Sequence, residues 1–181
     1  MATSDTTHTD MISRALNEKY QMLIEALDGT PRDLIRLTKR VDEAAALLRP
    51  APNEWCIKDV MAHLADVEDR FRARFVLMVE QDNPREPFIY PDPASHDLSQ
   101  TITALIEMFA AKRNVTVEYL RGLDHQQWLR TCVHETFGET KLRQQVEVLI
   151  GHDNEHLAQI VTIREFIEHS DATKPTNEEA R

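Results

Sequence analysis

Apolar residues recur at the spacing of amphipathic helices along most of the chain, and no segment alternates apolar and polar residues as a half-buried strand does. The pattern predicts a first helix from about Asp10 to Leu27 that ends at Gly29, with an apolar stripe of Ile12, Leu16, Tyr20, Leu23 and Leu27. A second helix is predicted to begin with Thr30 as its N-cap and Pro31 at the first helical position. The proline-rich segment RPAPNEW ends this helix.

The most regular stripe belongs to a helix predicted from Asn53, as the N-cap, to about Glu80, with inward positions at Cys56, Val60, Leu64, Val67, Phe71, Phe75 and Met78. A further helix is predicted from about Leu98 to Leu120, ending at Gly122, and a last one from about Glu139 to His169. Residues 82–97 contain four prolines and are predicted to be extended. Residues 123–138 are predicted to be an irregular link with at most a helical turn.

Helices of this length bury their stripes most readily in one bundle, so the sequence predicts an all-α, single-domain protein over residues 10–169. Residues 1–9 and the polar tail 170–181 are predicted to be disordered. An extended link over 82–97 reaches roughly 50 Å, whereas a helix of about 26 residues spans roughly 40 Å. The link is therefore long enough to return the chain to the same end of the bundle, and the helices on either side of it are predicted to be parallel. The second link is nearly as long, which leaves the connectivity open.

Charge and composition limit the classes of partner that we expect the chain to bind. A net charge of -10, without clustered basic residues, disfavours nucleic acid and anionic membranes as partners. The chain begins without a basic and apolar leader, and no apolar run is long enough to span a bilayer, so we expect a soluble, cytoplasmic protein. Its two cysteines, Cys56 and Cys132, are expected to be small core residues.

The segment GHDNEHLAQI places His152 and His156 four residues apart, which stacks both rings on one face of a helix. Because the chain contains eight histidines, this spacing alone is weak evidence for a metal site, and a purely structural pair of histidines would lie in the same place. His63 lies at the edge of the apolar stripe of its own predicted helix, from where its ring can face the last helix. Together the three histidines favour a site for a divalent metal ion.

The segments PAPNEWCIKDVMAHLADVEDRFRARF and GHDNEHLAQI resemble the DinB-like superfamily of bacterial metal-binding four-helix bundles. The marks of this resemblance are Trp55 eight residues before His63, the string HLADVE, and the pattern H-x-x-x-H-x-x-Q-I, within a region from about Thr30 to Ile167. It implies that His63, His152 and His156 are the metal ligands. It also implies a bundle with one long crossover (up-down-down-up), to which the first helix is an addition, and frequent homodimers.

The resemblance further implies metal-assisted use of a low-molecular-weight thiol, or hydrolysis, on a small-molecule substrate. Imidazole ligands suit zinc or nickel best among the expected ions, with iron and manganese also compatible. The alternative is a non-catalytic stress or interaction protein, a dimeric bundle whose histidines are structural or vestigial. His152, Glu155 and His156 also match the H-x-x-E-H pattern of inverted zinc peptidases, but too little chain follows them for the further ligand of that class.

The sequence does not decide whether the general base is Asp153, Glu155 or neither of them. Asp153 lies near the centre of the apolar stripe, where it either holds a ligand imidazole or makes a structural pair with Arg164. Glu155 points outward, toward solvent. Asp66 and Glu68 either orient His63 or are solvated, and solvation is expected for Glu68. His134 is either a residue that faces the substrate or binds the metal, or an exposed loop histidine.

Overall fold

A computed structural model describes residues 3–86 and 97–172 of the chain. Four long helices form a bundle, and a short helix, a 3-10 turn at Ala45–Leu47 and a three-stranded sheet lie in its connections. The helices are α1 (Thr3–Thr38), α2 (Ile57–Glu80), α3 (Ile102–Arg121), α4 (His125–Trp128) and α5 (Leu142–Ala172). The strands are β1 (Arg85–Glu86), β2 (Thr131–His134) and β3 (Gly138–Lys141). None of the helices in the described ranges is long and apolar enough to cross a membrane.

Two apolar clusters, one toward each end of the bundle, define the direction of each helix. The upper cluster contains the later part of α1, the beginning of α2, the beginning of α3 and the end of α5, with residues such as Leu34, Val60, Phe109 and Ile163. The lower cluster contains the opposite parts of the same helices, with residues such as Leu27, Phe75, Leu120 and Val146. Helices α2 and α3 are therefore parallel to each other and antiparallel to α1 and α5. The predicted up-down-down-up bundle is confirmed, and every predicted inward position of α2 is buried.

A buried polar layer separates the two clusters and takes one residue from each long helix: Thr30, Glu68, Arg113 and Asp153. Arg113 lies at its centre and donates to both carboxylates and to the carbonyl oxygen of Leu27. Polar and charged side chains are costly to bury unless they pair with one another. Because the residues of this layer pair only when their four helices are level, the layer favours the observed register of the helices.

The predicted break between a first and a second helix at Gly29 is wrong, because α1 continues through Gly29 and Pro31 to Thr38. Pro31 has no N–H to donate to the carbonyl of Leu27, one turn earlier. Arg113 donates Nη1 to that carbonyl at 2.9 Å and so replaces the missing hydrogen bond. The predicted N-terminal helix is thus the first half of α1. Helix α1 also begins at Thr3, inside the stretch expected to be disordered, because no glycine or proline interrupts residues 3–28.

Helix α2 begins later than predicted: its N-cap is Cys56, not Asn53. The carboxylate of Asp59 accepts a hydrogen bond from the backbone N–H of Cys56 at 2.9 Å and pairs with Arg49 at 2.7 Å. Asp59 therefore joins the cap of α2 to the connection that precedes it.

We expect Asp59→Ala to lower the free energy of unfolding by about 1 to 2 kcal/mol at pH 7, because it removes this cap. Burial would raise the pKa of Asp59, but hydrogen bonds from Cys56 and Arg49 hold it below its usual value of 3.8. A carboxylate with a depressed folded-state pKa stabilises fully above its unfolded pKa, and that contribution is lost as the pH falls through the folded value. Urea unfolding should therefore show the difference from the wild type shrinking as the pH falls below about 4. Asp66→Ala, which removes an exposed pair with Arg70 on the same helix, is the control and should change stability by less than about 0.5 kcal/mol.

The second connection, predicted to be irregular, contains α4 and a β-hairpin. Strand β2 pairs antiparallel with β3, with Cys132 opposite Thr140, and Gly138 adopts the positive φ of 70° that the turn requires. Helix α5 therefore begins at Leu142 rather than Glu139, which lies in β3. Strand β1 adds to β2 in parallel, so the start of the crossover is hydrogen-bonded to the hairpin. The crossover beyond Glu86 and the tail beyond Ala172 lie outside the described residues.

Candidate metal centre

The bundle brings together the three histidines that the sequence singled out. His63 projects from α2, and His152 and His156 project from one face of α5. The Nε2 atoms of His63 and His152 are 3.0 Å apart, and one ring nitrogen of each histidine lies within 4.8 Å of the others. His63 is buried and the other two are half-buried, so the cluster lies at the boundary between the core and a cleft.

The protonation of His156 is set by its neighbours. Its Nδ1 lies 2.8 Å from the amide oxygen of Gln159, which only accepts hydrogen bonds. The proton of the neutral ring is therefore on Nδ1, and Nε2 carries a lone pair. Burial lowers the pKa of His156, with a smaller contribution from His152, so the ring is neutral near pH 7. This is the form of histidine that binds a metal ion.

Trp55 holds two of the three rings in place. Its indole stacks on His156 with ring centroids 5.7 Å apart and an interplanar angle of 7°, and it lies 4.8 Å from the ring of His63. Trp55 is placed there by the segment that leads into α2, three residues before Lys58. Trp55, one of the marks of the family resemblance, thus packs against the histidines themselves.

Asp153 lies behind the cluster, in the polar layer. Its carboxylate accepts from Arg113 at 2.6 and 3.2 Å and from Thr30 at 2.9 Å, and one oxygen lies 3.9 Å from Nδ1 of His152. Burial alone would raise the pKa of Asp153, but its contacts with His152 and Arg113 hold it below the usual value. Of the two alternatives for Asp153, the structural pair with Arg164 is wrong, because Arg164 instead pairs with Glu168 one turn along α5.

Glu68 was expected to be solvated, and this prediction is wrong. It is fully buried and accepts hydrogen bonds from Nε and Nη2 of Arg113 at 2.9 and 2.7 Å. Arg113 itself was not singled out from the sequence, although it lies one turn after Phe109 and one turn before Val117 on the inward face of α3. A cation at a core-facing position, with carboxylates at core-facing positions of two other helices, is the signal that would have found this layer.

The remaining acidic candidates, Glu155 and Asp66, are more exposed than Asp153. Glu155 is exposed, as expected, and so is not placed as the base that the H-x-x-E-H pattern requires. Asp66 pairs with Arg70 at 2.9 Å on the outer side of α2. Of the four carboxylates considered as partners of the histidines, Asp153 lies 3.9 Å from a ring nitrogen, Nδ1 of His152.

The three histidines line a cleft of about 430 Å³ between α2, α5 and the hairpin. Its apolar walls include Phe71 of α2 and the exposed ring of Phe137 at the hairpin turn. His134 also lines the cleft, as one of its two sequence-based alternatives predicted, and its Nδ1 accepts from the backbone N–H groups of Thr136 and Phe137 at 3.0 and 3.3 Å. A second cleft, of about 520 Å³, reaches His156 but neither of the other two histidines. The open side of the cluster therefore faces the first cleft.

A helical bundle in which two antiparallel helices present three imidazoles to a cleft is one of the architectures of metal-dependent proteins. The chain matches the DinB superfamily over residues 26–160, which include all three histidines, and it belongs to that superfamily. The resemblance inferred from the sequence is therefore confirmed.

Curated relatives and solved structures resemble most of the chain. A Bacillus mycoides protein named as a candidate metal-dependent hydrolase is 24% identical over 161 residues, which cover 88% of this chain and 91% of the relative. YfiT from Bacillus subtilis, described as a candidate metal-dependent hydrolase with an unusual four-helix bundle topology, aligns with a TM-score of 0.70 at 20% identity. This alignment covers 83% of this chain and 89% of YfiT. A protein from Enterococcus faecalis aligns with a TM-score of 0.62 at 17% identity, over 82% of this chain and 96% of its own. At these identities the structures support the fold.

Proposed function

We propose that the chain binds a divalent metal ion through His63, His152 and His156 and uses it in a reaction of a small-molecule substrate, either hydrolysis or transfer of a low-molecular-weight thiol. The convergence of three imidazole nitrogens on the open side of the cleft carries this proposal. The relatives from Bacillus mycoides and Bacillus subtilis, which are described as candidate metal-dependent hydrolases, support the hydrolytic form.

The donor set fits such an ion. Two neutral imidazole nitrogens 3.0 Å apart repel each other through their lone pairs unless they share a proton or a cation. Ligands about 2 Å from a single zinc or nickel ion are themselves about 3 Å apart, so a shared cation requires little movement of His63 and His152. When bound by three neutral ligands, a divalent ion keeps its full charge and lowers the pKa of water or of a thiol.

Residues of the chain itself orient the ligands. Gln159 fixes the tautomer of His156, and Trp55 fixes the planes of two rings. An oxygen of Asp153 lies 3.9 Å from Nδ1 of His152, so a shift of about 1 Å would let it accept from that nitrogen and raise the basicity of the opposite one. Arg113 and Thr30 hold Asp153, which lies beside His152. A movement of the polar layer would therefore shift a residue next to the proposed metal ligands. The walls of the cleft are mostly apolar, which lowers the polarity around the histidines.

Elemental analysis of protein purified without a histidine tag tests the proposal. We expect about one zinc or nickel ion per chain at pH 7.5, and turnover of an activated ester or of a thiol with an electrophile that stops after treatment with a chelator and returns on adding the metal. A metal-free protein that also fails to take up zinc, nickel, iron or manganese would contradict the proposal. It would favour the non-catalytic dimeric bundle with structural histidines.

A further inference from the structure

The buried polar layer connects a carboxylate of α2 to the candidate metal centre. Glu68 is fully buried, Asp153 is 2% exposed, and Arg113 lies between them at 2.7 Å from the first and 2.6 Å from the second. Asp153 in turn lies 3.9 Å from Nδ1 of His152. A residue that contacts none of the three histidines through a recorded hydrogen bond is therefore joined to one of them by way of α3.

This layer is not the arrangement that gives the greatest stability. Two carboxylates oppose one guanidinium, and Oε1 of Glu68 is buried without a hydrogen-bond donor among the residues that the structure describes. Replacing a buried ion pair by apolar side chains of similar volume is often neutral or stabilising, so such a pair is weak evidence for a structural role alone. The second carboxylate, Glu68, therefore points to a further role for the layer.

Glu68 sets the direction of the guanidinium of Arg113. Its Oε2 accepts from Nε and Nη2, along one edge of the guanidinium, at 2.9 and 2.7 Å. The edge formed by Nη1 and Nη2 is left for Asp153, whose Oδ2 accepts at 2.6 Å and whose Oδ1 accepts at 3.2 Å. Because the guanidinium is planar and rigid, the position of Glu68 on one edge determines where Asp153 is held on the other.

The two oxygens of Asp153 are bound unequally. Oδ2 accepts from Arg113 at 2.6 Å and from Thr30 at 2.9 Å, whereas the bond from Arg113 to Oδ1 is longer, at 3.2 Å. Oδ1 is also the oxygen that lies 3.9 Å from Nδ1 of His152. That nitrogen is buried and has no hydrogen-bond partner within residues 3–86 and 97–172. A shift of about 1 Å thus joins an oxygen with spare acceptor capacity to a nitrogen that lacks a partner.

We propose that Glu68 is a positioning residue of the metal centre. Together with Arg113 it holds Oδ1 of Asp153 where this oxygen accepts a hydrogen bond from Nδ1 of His152. The proton of the neutral ring then lies on Nδ1, and Nε2 presents its lone pair to the ion. In protein stripped of metal, the proton between the Nε2 atoms of His63 and His152, 3.0 Å apart, belongs to His63. The inference rests on the proposed function for the ion, but the position of the proton is measurable without it.

The affinity of the full chain for zinc tests this connection. Competition with a coloured chelator measures the Kd for zinc, and NMR spectra report whether each variant is folded. We expect Asp153→Asn to raise the Kd by about 10- to 100-fold, and Glu68→Gln, which acts at one remove, by about threefold to tenfold. Glu68→Met is a second uncharged variant, and either folded variant of Glu68 decides the matter. Glu155→Gln is the matched control: it removes an exposed carboxylate beside His156 and should change the Kd by less than about twofold.

A double variant shows whether the effect of Glu68 passes through Asp153. If it does, adding Glu68→Gln to Asp153→Asn should raise the Kd no further, whereas independent effects would multiply. Multiplied effects would mean that the charge of Glu68 acts on the ion directly through space, and they would overturn the inference. A Kd that stays within the range of the Glu155→Gln control in the Glu68 variants would overturn it as well.

The tautomer of His152 separates the inference from the proposed function. Nitrogen NMR of the imidazole rings in chelator-treated protein distinguishes a proton on Nδ1 from one on Nε2. We expect the proton on Nδ1 in the wild type and in Glu155→Gln, and a mixture of tautomers in Asp153→Asn and in the Glu68 variants. This result supports the inference even if the chain takes up no metal and the proposed function fails. A wild-type proton on Nε2, or a tautomer that the Glu68 variants leave unchanged, overturns the inference, and zinc binding by the wild type then leaves the proposed function standing alone.

Discussion

His152→Ala is expected to abolish metal binding and, with it, turnover. The substitution removes the imidazole whose Nε2 lies 3.0 Å from that of His63, and two remaining histidines do not hold a divalent ion tightly. Metal content should fall from about one ion per chain to below about 0.1. With zinc at about 100 times its dissociation constant, the wild type should gain about 2.7 kcal/mol of stability, which is about 5 to 10 °C in Tm for a chain of this size. His152→Ala should show no such gain.

The comparison is between each protein with and without zinc, because removing a ring also costs packing energy. His63→Ala and His156→Ala should behave in the same way. His169→Ala is the matched control: it lies on the same helix, exposed, with its Nδ1 at the backbone oxygen of Glu165, and should retain the metal and the zinc-dependent gain. A zinc-dependent rise in Tm that persists in His152→Ala would show that the ion binds elsewhere.

Arg113→Met is expected to lower the free energy of unfolding by about 3 to 5 kcal/mol, the largest effect on stability in the bundle. Arg113 is 1% exposed and pairs with two buried carboxylates, Glu68 and Asp153. Its removal leaves both without their cation in a medium of low polarity, and it leaves the carbonyl of Leu27 at Pro31 without a donor. Denaturant unfolding at pH 7 measures the loss.

Two further measurements assign that loss to charge. Adding Glu68→Gln and Asp153→Asn to Arg113→Met should recover part of the stability, because the isolated carboxylates are then neutral. Arg121→Met, on the same helix but in an exposed pair with Glu118, should cost less than about 1 kcal/mol. A loss in Arg113→Met no larger than in this control would mean that the buried pairs contribute nothing to stability.

Much of the fold was predictable because it depends on local periodicity. The stripes of α2 and the inward positions of the other helices follow from spacing alone, and the positions of His63, His152 and His156 follow from the same spacing. The length of the proline-rich link allowed α2 and α3 to be parallel but left the connectivity open, and the resemblance to the DinB-like superfamily implied this order. The metal-ligand role of the three histidines stays a prediction, whereas their proximity is a property of the fold.

What the sequence did not predict depends on contacts between distant residues. The continuity of α1 through Pro31 requires a donor for Leu27 from Arg113, 86 positions further along the chain. The burial of Glu68 requires the same arginine. The hairpin was missed because strands of four residues are too short for their alternation to stand out, and part of their pairing, with β1, is also non-local.

Because β1 pairs with β2, the two long connections of the bundle are joined in one small sheet beside the cleft that the three histidines line. His134 and Phe137, which line the cleft, belong to this sheet, while the three histidines of the candidate metal centre belong to α2 and α5. Loops tolerate insertions and exchanges far better than packed helices do. Changes in the hairpin can therefore alter which compounds fit the cleft while the four helices keep the three histidines together, and transplanting residues 131–141 from a relative is a direct test of this.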